Sequence, residues 1–452
     1  MDARAAERSQ PREHGIPPVL LRCELAAIGG SGLVLAAACW ELQRLGNFVE
    51  TPRAFLVLFT IAFAAYAAGA TVSARLRGSV PVTIIVAVGI GCRLIFLPTA
   101  PSLSTDAYRY VWDARVASAG FDPYAYPPTA PELAGLRDAW IYPHLNHKTW
   151  LTVYPPVAEA LFRAVYRIAP DNVLAIKGAF GLAEVLALVT LALWLRALGL
   201  PPGRLTIYAW NPLLLVEIWG SGHLDALVIL AVVAAALASA RSRDGLAAVF
   251  LGLGTLVKLY PAVLLLLLPG RRRPVVLVLF ATVIVVGTLA SGGLGAWPVG
   301  PIGRYVVDEY FNPGLVRSLV NNPKLALAAS FGWILAVAAL GGARDLATRA
   351  VPMVAGVIVL APNVFPWYAV WLIPFLAVAP SIPLIAFTGA VAFSYAFFLS
   401  DPWSIPWWAR AVEVVPVAAA AVAMLRHGSS GIHRILRVLR RPPRPGVSAD
   451  VR

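Results

Sequence analysis

Long apolar runs, separated by short polar segments, dominate the amino-acid sequence. The first three runs cover roughly residues 20–42, 53–74 and 80–97, and similar runs continue to about residue 423. Runs of about 20 apolar residues can cross a bilayer as helices, whereas barrel strands alternate apolar and polar residues. The pattern therefore predicts an all-α, polytopic membrane bundle of about 12 to 14 spans.

Arginine clusters between the runs predict the orientation of this bundle. Arg75 and Arg77 follow the second run, and Arg241 and Arg243 follow a later one. Because cytoplasmic loops are enriched in Lys and Arg, these clusters place both termini inside and the 98–152 loop outside. The same rule places inside the basic clusters at residues 4–22, 271–273, 344–349 and 426–441.

The stretch between that loop and residue 220 does not fit a simple alternation. Both ends should be extracytoplasmic, so an even number of crossings must separate them. Three apolar segments lie between, near 155–169, 172–198 and 204–218. One of them is re-entrant or lies in the interface, and the sequence does not identify which.

Residues 245–269 form a second exception. The segment is long enough for one crossing but short for two, and a single crossing would put Arg271–Arg273 on the wrong side. We therefore expect a broken segment that turns at Lys258–Pro261. Broken helices at membrane depth usually border a cavity.

Composition excludes several classes of protein. The 452 residues are 59% hydrophobic and 13% charged, whereas soluble domains are about a quarter charged. The net charge of +14 follows mostly from the cytoplasmic arginines, so no nucleic-acid partner is expected. No Walker loop, GxGxxG fingerprint or HExxH motif is present. The cysteines lie in apolar segments without ligand spacing, so neither a disulfide nor a metal framework is implied: Cys23, Cys39 and Cys92.

The pattern divides the chain into three regions. We expect residues 1–18 to be a disordered cytoplasmic tail, with no cleavable signal peptide. Residues 19–427 form one transmembrane domain, which contains the 98–152 loop, and residues 428–452 form a basic cytoplasmic tail. The predicted location is the plasma (or inner) membrane, crossed many times.

The 98–152 loop contains the stretch with the most candidate chemistry. Ser104 or Thr105 can cap a helix that begins near Asp106, and Gly120 is placed to end it. Asp122 and the following proline then favour a turn. The predicted element is an amphipathic helix that lies on the membrane surface.

This helix would combine acids, cations and aromatic rings. Asp106 and Asp113 are seven residues apart, so they share a face, with Tyr110 between them. Arg109 can pair with Asp113 four residues later, and Arg115 follows. Such a set can bind a sugar and a phosphate. It is equally typical of an interfacial helix with surface ion pairs, whose aromatic rings lie among lipid headgroups: Tyr108, Tyr110 and Trp112.

Further candidates occur where later apolar runs are interrupted. His223 and Asp225 stand at the outer start of a span, where a helix N-terminus and an imidazole can bind an anion; alternatively, Asp225 only caps the helix. Lys258, beside Tyr260 and Pro261, can bind a lipid phosphate or can simply reach the interface.

Aromatic and proline-rich punctuation recurs at other outer positions. Tyr154 precedes two prolines, and Trp367 and Tyr368 follow Pro366. These residues are expected first as scaffold and pocket wall. Three acids in outer loops are second-rank candidates because most such acids are only solvated: Asp308, Glu309 and Asp401. Nearly all unusual polar and aromatic residues thus share one predicted side with Asp106, which favours a single extracytoplasmic site.

These residues, in this order, resemble the C-type glycosyltransferase superfamily of polytopic membrane enzymes. The similarity is greatest to bacterial polyprenyl-phosphate-sugar-dependent mannosyltransferases and to the enzyme that adds the first mannose in GPI-anchor synthesis. No single motif is specific, and the resemblance rests on the ordered set. The matching segments are 105–115, 120–124, 154–156, 211–212 with 222–225, 258–261 and 366–368.

The resemblance implies a sugar transferase whose catalytic base is the acid in the first large outer loop, Asp106. Some members carry an acidic pair there, whereas this chain has Thr105-Asp106-Ala107, which puts a bound divalent metal in doubt. The implied partners are a polyprenyl-phosphate sugar donor, a lipid or glycan acceptor and membrane lipids. The expected phosphate-binding residues are Lys258, His223, Arg109 and Arg115. The expected sugar or acceptor pocket comprises Asp113, Tyr108, Tyr110, Trp112, Tyr124, Tyr154, Asp225, Tyr260, Trp367 and Tyr368.

Two other functions remain open at this point. A secondary transporter or lipid flippase predicts an inverted or parallel repeat and charged groups near mid-membrane. A non-catalytic scaffold predicts that the outer acids and cations do not converge.

Overall fold

A computed structural model describes residues 18–268, 273–291, 299–340 and 346–439. These residues form helices and connecting loops, and within them the only β-type pairing recorded is an isolated bridge between Pro313 and Asn363. The all-α fold is therefore confirmed. The expected tail at 1–18 lies outside the described residues except for Pro18. Of the expected tail at 428–452, the structure describes the backbone as far as residue 439 and no side chains.

Three long apolar helices come first in the described chain, and the first packs against both of the others. They are α1 (Pro18–Arg44), α2 (Pro52–Ser73) and α3 (Ser79–Phe96). The loop that follows contains α4 (Asp106–Ser118), two 3-10 turns (Pro131–Leu136 and Tyr142–His144) and α5 (Pro156–Ile168).

The middle of the chain alternates long helices with broken ones. Its elements are α6 (Val173–Ala197), a 3-10 turn (Pro202–Leu205), α7 (Thr206–Ala209), α8 (Pro212–Leu214), a π-helical turn (Leu215–Gly220), α9 (Asp225–Ala240), α10 (Asp244–Thr255), α11 (Pro261–Leu264) and a 3-10 turn (Leu265–Leu267).

The remaining helices complete the wall around the site. They are α12 (Arg273–Ala290), α13 (Val299–Asp308), α14 (Leu315–Val320), α15 (Pro323–Leu340), α16 (Leu346–Leu360), α17 (Pro366–Ala369), α18 (Ile373–Val378), α19 (Ile382–Ala390), a 3-10 segment (Val391–Leu399) and α20 (Trp407–Leu439).

Six helices among the described residues are long and apolar enough to cross a membrane, and five shorter apolar helices accompany them. The chain is therefore a polytopic membrane protein, while the total of 12 to 14 crossings stays a prediction. The six long segments are Leu21–Arg44, Pro52–Ser73, Ser79–Phe96, Val173–Ala197, Arg273–Ala290 and Ile382–Leu399.

The segment that does not cross between the outer loop and residue 220 is α5. Its 13 residues span only about 20 Å, too little for a bilayer. Both ends of α5 lie beside the outer loop. Asp171, just after α5, pairs with Arg115 of that loop at 2.7 Å. Thr152, at the end of the loop, donates a hydrogen bond to Glu159 in the first turn of α5. The broken stretch from Pro202 to Gly220 follows α6, and we expect it to make the return crossing.

The chain also turns back at Lys258–Pro261, as the sequence predicted. After α10 ends, Pro261 packs against Gly254, where an added Cβ would lie 3.2 Å from the proline Cγ. The short helix α11 then packs back onto α10. The turn therefore presents Lys258 at the end of the bundle where the outer loop lies.

Helix α4 forms where predicted but is not a surface helix. Every residue from Ala107 to Val116 is buried, and Trp112 is fully covered. Helices α5 and α6 and the loop's own 3-10 turns pack against it. Its end is the expected one, with Gly120 at φ +87° and Phe121 N–H donating to the Val116 carbonyl at 3.1 Å. The expectation of an interfacial helix was wrong because the loop folds over it.

A buried ion pair that the sequence did not reveal joins α3, α6 and the broken stretch from Pro202 to Gly220. Arg93 and Glu184 form two hydrogen bonds of 2.7 and 2.6 Å, and both are fully buried. Arg93 also donates to the Ala209 carbonyl, and the Trp219 indole donates to Glu184. Because a buried charge is tolerated only with full pairing, this cluster holds the π-helical turn, and hence the segment leading to His223, in one position.

Candidate active site

A cavity of about 990 Å³ opens at the end of the bundle that carries the outer loop. We call this end the cavity face. The segments that line it come from the whole length of the chain: residues 98–109, 140–155, 257–260, 302–311, 357–371 and 395–403. The outer positions that the sequence assigned to one side do therefore converge.

Asp106 lies at the N-terminus of α4 and lines this cavity. Its side chain is 20% exposed. One carboxylate oxygen accepts a hydrogen bond of 2.8 Å from the Asn146 amide, and the other lies 3.8 Å from Nδ1 of His223. Burial raises the pKa of Asp106 above its ordinary value, while the bond from Asn146 and the positive charge of Lys258 oppose that rise. The group is thus an accessible carboxylate whose proton affinity is higher than usual.

Lys258 supplies a cation to the same cavity, with a side chain that is 24% exposed. Its Nζ lies 2.9 Å from the carboxylate of Asp225, at the start of α9. It also lies over two aromatic faces, 4.7 Å from the ring centre of Tyr368 and 5.1 Å from that of Trp371. The carboxylate and the rings fix the ammonium group while leaving part of it open to a ligand.

Aromatic rings form a continuous wall beside Lys258. Tyr260 stacks on Trp371 with ring centres 4.1 Å apart, and Tyr368 stacks on Trp371 at 4.6 Å. Trp367 stacks on Phe365 at 4.4 Å and on His223 at 4.3 Å. Flat rings with polar edges are surfaces on which sugar rings can stack.

The outer loop and α13 meet across the cavity. His147 lies 2.9 Å from the carboxylate of Glu309 and stacks on Trp150 at 4.1 Å. Arg304 covers the other side of this contact, 5.0 Å from the Trp150 ring centre. Glu309, a second-rank candidate, therefore lines the cavity, whereas Asp308 pairs with Arg304 and is largely exposed. Asp401 is also exposed.

Several predicted site residues line the cavity and others do not. In addition to Asp106 and Lys258, the lining includes Tyr108, Arg109, Tyr154, Tyr260, Trp367 and Tyr368. The cavity lining does not include Arg115, Asp113, Tyr110, Trp112, Tyr124, Asp225 or His223. Asp225 and His223 nevertheless contact lining residues directly.

The two arginines of α4 have protein partners. Arg109 donates to Asp113 at 2.8 Å and to the Trp150 carbonyl at 3.1 Å, which leaves its guanidinium mostly occupied. Arg115 pairs with Asp138 and Asp171, away from the cavity. The predicted phosphate contact of Arg115 would require breaking both pairs, so the structure does not bring it to the site.

Sequence reasoning missed Asn146, His147, Glu217 and Tyr395. Asn146 and His147 could have been noticed as adjacent polar residues in the outer loop. Glu217 carried the stronger signal, because an acid inside the apolar run 212–219 is a candidate functional residue by default. Among the described residues, no group of three or more His, Cys, Asp or Glu side chains is arranged to hold a metal ion.

Comparison with known families gives a match over part of the chain. Residues 56–270 match the family described as alpha-(1->6)-mannopyranosyltransferase, N-terminal domain. The matched segment includes Asp106, His223, Asp225 and Lys258, while the aromatic wall from Phe365 to Trp371 lies beyond it. No curated protein matches the chain. The match confirms the resemblance to the C-type glycosyltransferases.

Proposed function

We propose that this membrane glycosyltransferase takes its sugar from a polyprenyl-phosphate donor. The proposal starts from the match of residues 56–270 to the N-terminal domain of a mannosyltransferase family. The acceptor would be a lipid or glycan, and transfer would occur at the cavity face. The observation that carries the proposal is that Asp106 and Lys258 line the same cavity, with sugar-sized aromatic surfaces between apolar walls.

The chemistry of such a donor needs few catalytic groups. A polyprenyl phosphate is already a good leaving group, so no general acid is required. One carboxylate suffices to take the proton from the acceptor hydroxyl, in contrast to the paired acids of glycosidases. Asp106 is the accessible carboxylate with a raised pKa, so we assign it this role.

Lys258 is placed to stabilise the departing phosphate. Its ammonium group is held by Asp225 and by the faces of Tyr368 and Trp371, so little motion is needed when negative charge develops. Arg109 also lines the cavity, but its bonds to Asp113 and the Trp150 carbonyl limit it to a secondary contact. The predicted phosphate site thus reduces mainly to Lys258.

The size and lining of the cavity fit a sugar attached to a lipid phosphate. About 990 Å³ accommodates a glycosyl phosphate together with part of an acceptor. The stacked rings of Tyr260, Trp371 and Tyr368 would support the sugar. Apolar residues such as Val306 and Phe398 line other parts of the wall and would contact the isoprenoid chain.

The family description supports mannose as the sugar and a primary hydroxyl, linked α(1→6), as the acceptor group. The arginine pattern supports an extracytoplasmic cavity face in the plasma membrane, with both termini in the cytoplasm. Both statements are part of the proposal.

A direct assay tests the donor and the reaction together. Purified protein would be incubated with polyprenyl-phosphate mannose, glucose or arabinose, or with GDP-mannose, and with mannosylated lipid acceptors. We expect transfer from polyprenyl-phosphate mannose and none from GDP-mannose. Transfer from GDP-mannose alone would contradict the donor assignment. Movement of intact labelled donor lipid across proteoliposomes, without glycoside formation, would favour the flippase instead.

A further inference from the structure

A row of buried polar side chains runs from Asp106 through His223 and Glu217 to Tyr395. The imidazole of His223 lies between two carboxyl groups, with Nδ1 at 3.8 Å from Asp106 and Nε2 at 3.4 Å from Glu217. The second oxygen of Glu217 accepts a hydrogen bond of 2.8 Å from the Tyr395 hydroxyl. His223 is 1% exposed, and Glu217 is fully buried.

The nitrogen and oxygen atoms of His223 and Glu217 that face each other lack hydrogen-bond partners in the described residues. Neither ring nitrogen of His223 forms a hydrogen bond within the described residues, and the same holds for the Glu217 oxygen that faces it. Unsatisfied buried polar groups are costly, so such a row is rarely kept for packing alone. Trp367 covers one face of the imidazole, with ring centres 4.3 Å apart, and shields the ring from water.

The placement argues against a direct role for His223 at the donor phosphate. Its side chain does not line the cavity, whereas the next residue, Leu224, does. Trp367 and Asp106 both line the cavity and contact the imidazole, and of the two only Asp106 can exchange a proton with it. We therefore consider an action of His223 through Asp106.

We infer that His223 is a positioning residue that receives from Asp106 the proton taken from the acceptor, with Glu217 holding the imidazole in the required orientation. This inference rests on the proposed function. In the transfer step the acceptor O–H bond breaks, a bond forms between the acceptor oxygen and the sugar, and the sugar–phosphate bond breaks. The proton resides first on Asp106 and then on Nδ1 of His223. The polyprenyl phosphate leaves as the dianion, and His223 then returns the proton through Asp106 to this phosphate or to solvent before the next turnover.

The charges that face His223 support this transfer. Burial lowers the pKa of His223 well below its ordinary value, which makes the imidazolium a transient form. Asp106 of α4 and Glu217 of the π-helical turn, when ionised, favour this imidazolium between them. Lys258, in the turn after α10, disfavours it, but the carboxylate of Asp225 on α9 lies 2.9 Å from that ammonium group. The closer approach of Nε2 to Glu217 than of Nδ1 to Asp106 favours a resting tautomer with the proton on Nε2. Nδ1 is then free to accept.

Kinetics of Glu217→Gln and His223→Gln test the inference. We expect each variant to lower kcat by about 10- to 100-fold, with the KM for the donor within about twofold of wild type. The double variant should be no slower than the His223 single variant, because both residues act in one step. Glu413→Gln is the matched control, since Glu413 is another buried acid, which is bonded to Asn312 and does not line the cavity; its kcat should be unchanged.

A second measurement does not depend on activity. The ¹⁵N signals of His223 in histidine-labelled protein, assigned by their loss in His223→Gln, should show the Nε2–H tautomer and should shift in Glu217→Gln. A donor KM that rises while kcat is unchanged would overturn the inference and make His223 a phosphate ligand. Wild-type protein that transfers from no donor would overturn the proposed function. The inference about His223 would then fall if Glu217→Gln left its signals unchanged, and would be supported if they shifted.

Discussion

At the scale of single residues, the reaction depends on the protonation of Asp106. A general base must be ionised, so kcat/KM should fall as the pH drops through the pKa of Asp106. Because burial raises that pKa, the fall should occur at higher pH than for an ordinary aspartate.

Asn146 provides the test of this pH dependence. Its amide donates to the Asp106 carboxylate at 2.8 Å and so favours the ionised form. Asn146→Ala should therefore raise the pKa further and move the acidic limb of the pH–rate profile to higher pH. A limb that stays in place, or moves to lower pH, would contradict the assignment of that limb to Asp106.

Lys258 should determine affinity for the donor. A charge-assisted hydrogen bond to phosphate is worth about 1.5–3 kcal/mol, which corresponds to roughly a 10- to 100-fold change in binding. We expect Lys258→Gln to raise the donor KM by that factor and Lys258→Arg to recover part of it. Lys148→Gln is the control. Lys148 lies in the 98–152 loop, where it donates to the Pro143 carbonyl, and it does not line the cavity. An unchanged donor KM in Lys258→Gln would exclude the phosphate role.

The sequence revealed individual charges but not their partners. Lys258 and Asp106 were identifiable because ionisable groups near apolar segments are rarely incidental. Arg115 had the same appearance, yet its two carboxylate partners, Asp138 and Asp171, lie 23 and 56 residues away along the chain. Long-range pairing of this kind decides which cations are free, and local spacing does not report it.

At the scale of elements, the segment between the π-helical turn and α9 depends on Gly222. Its φ of +77° is a left-handed conformation, and an added Cβ would lie 2.7 Å from Cγ of Lys177. The Lys177 ammonium group in turn donates to the Leu97 and Thr99 carbonyls at the end of α3. A side chain at 222 would therefore displace either His223 or this anchor.

Gly222→Ala should destabilise the protein by about 1–3 kcal/mol, the usual cost of such strain, and should lower transfer activity. Gly178→Ala, at the residue that directly follows Lys177 in α6, is the matched control because an added Cβ there has nothing within 4 Å. Thermal unfolding in detergent would compare the two variants. Equal melting temperatures would show that position 222 tolerates a side chain.

Element boundaries followed from local signals, whereas burial did not. Gly120 ended α4, and Pro261 marked the turn after α10, because both residues constrain the backbone directly. The burial of α4 and the failure of α5 to cross depend on how the outer loop folds over its neighbours. Hydropathy of one segment contains no information about that packing.

At the scale of the whole molecule, the account requires that distant loops share one face. Glu132 in the outer loop, Asp308 at the end of α13 and Asp401 are all exposed. Ser242, between α9 and α10, lies at the other end of the bundle.

Single cysteines at positions 132, 308 and 401, in a background lacking the native cysteines, should react with an impermeant reagent added outside cells. A cysteine at 242 should react only after lysis. Labelling of Ser242→Cys from outside would reverse the predicted orientation.

The general arrangement was predictable because the polar interruptions of a membrane protein collect where a cavity exists. What could not be predicted is the aromatic stack of Tyr260, Trp371 and Tyr368 around Lys258, whose members come from segments about 110 residues apart. The row from Asp106 through His223 to Glu217 was hidden for the same reason.

The central claim is that the carboxylate of Asp106 removes the acceptor proton in the cavity shared with Lys258. The most direct measurement is the rate of transfer from polyprenyl-phosphate mannose by purified Asp106→Asn protein, with Glu132→Gln as a control acid exposed in the same loop. We expect Asp106→Asn to lose at least about 100-fold in kcat, while it keeps the wild-type melting temperature within a few degrees, and we expect Glu132→Gln to remain fully active. Wild-type turnover by a well-folded Asp106→Asn protein would contradict the claim.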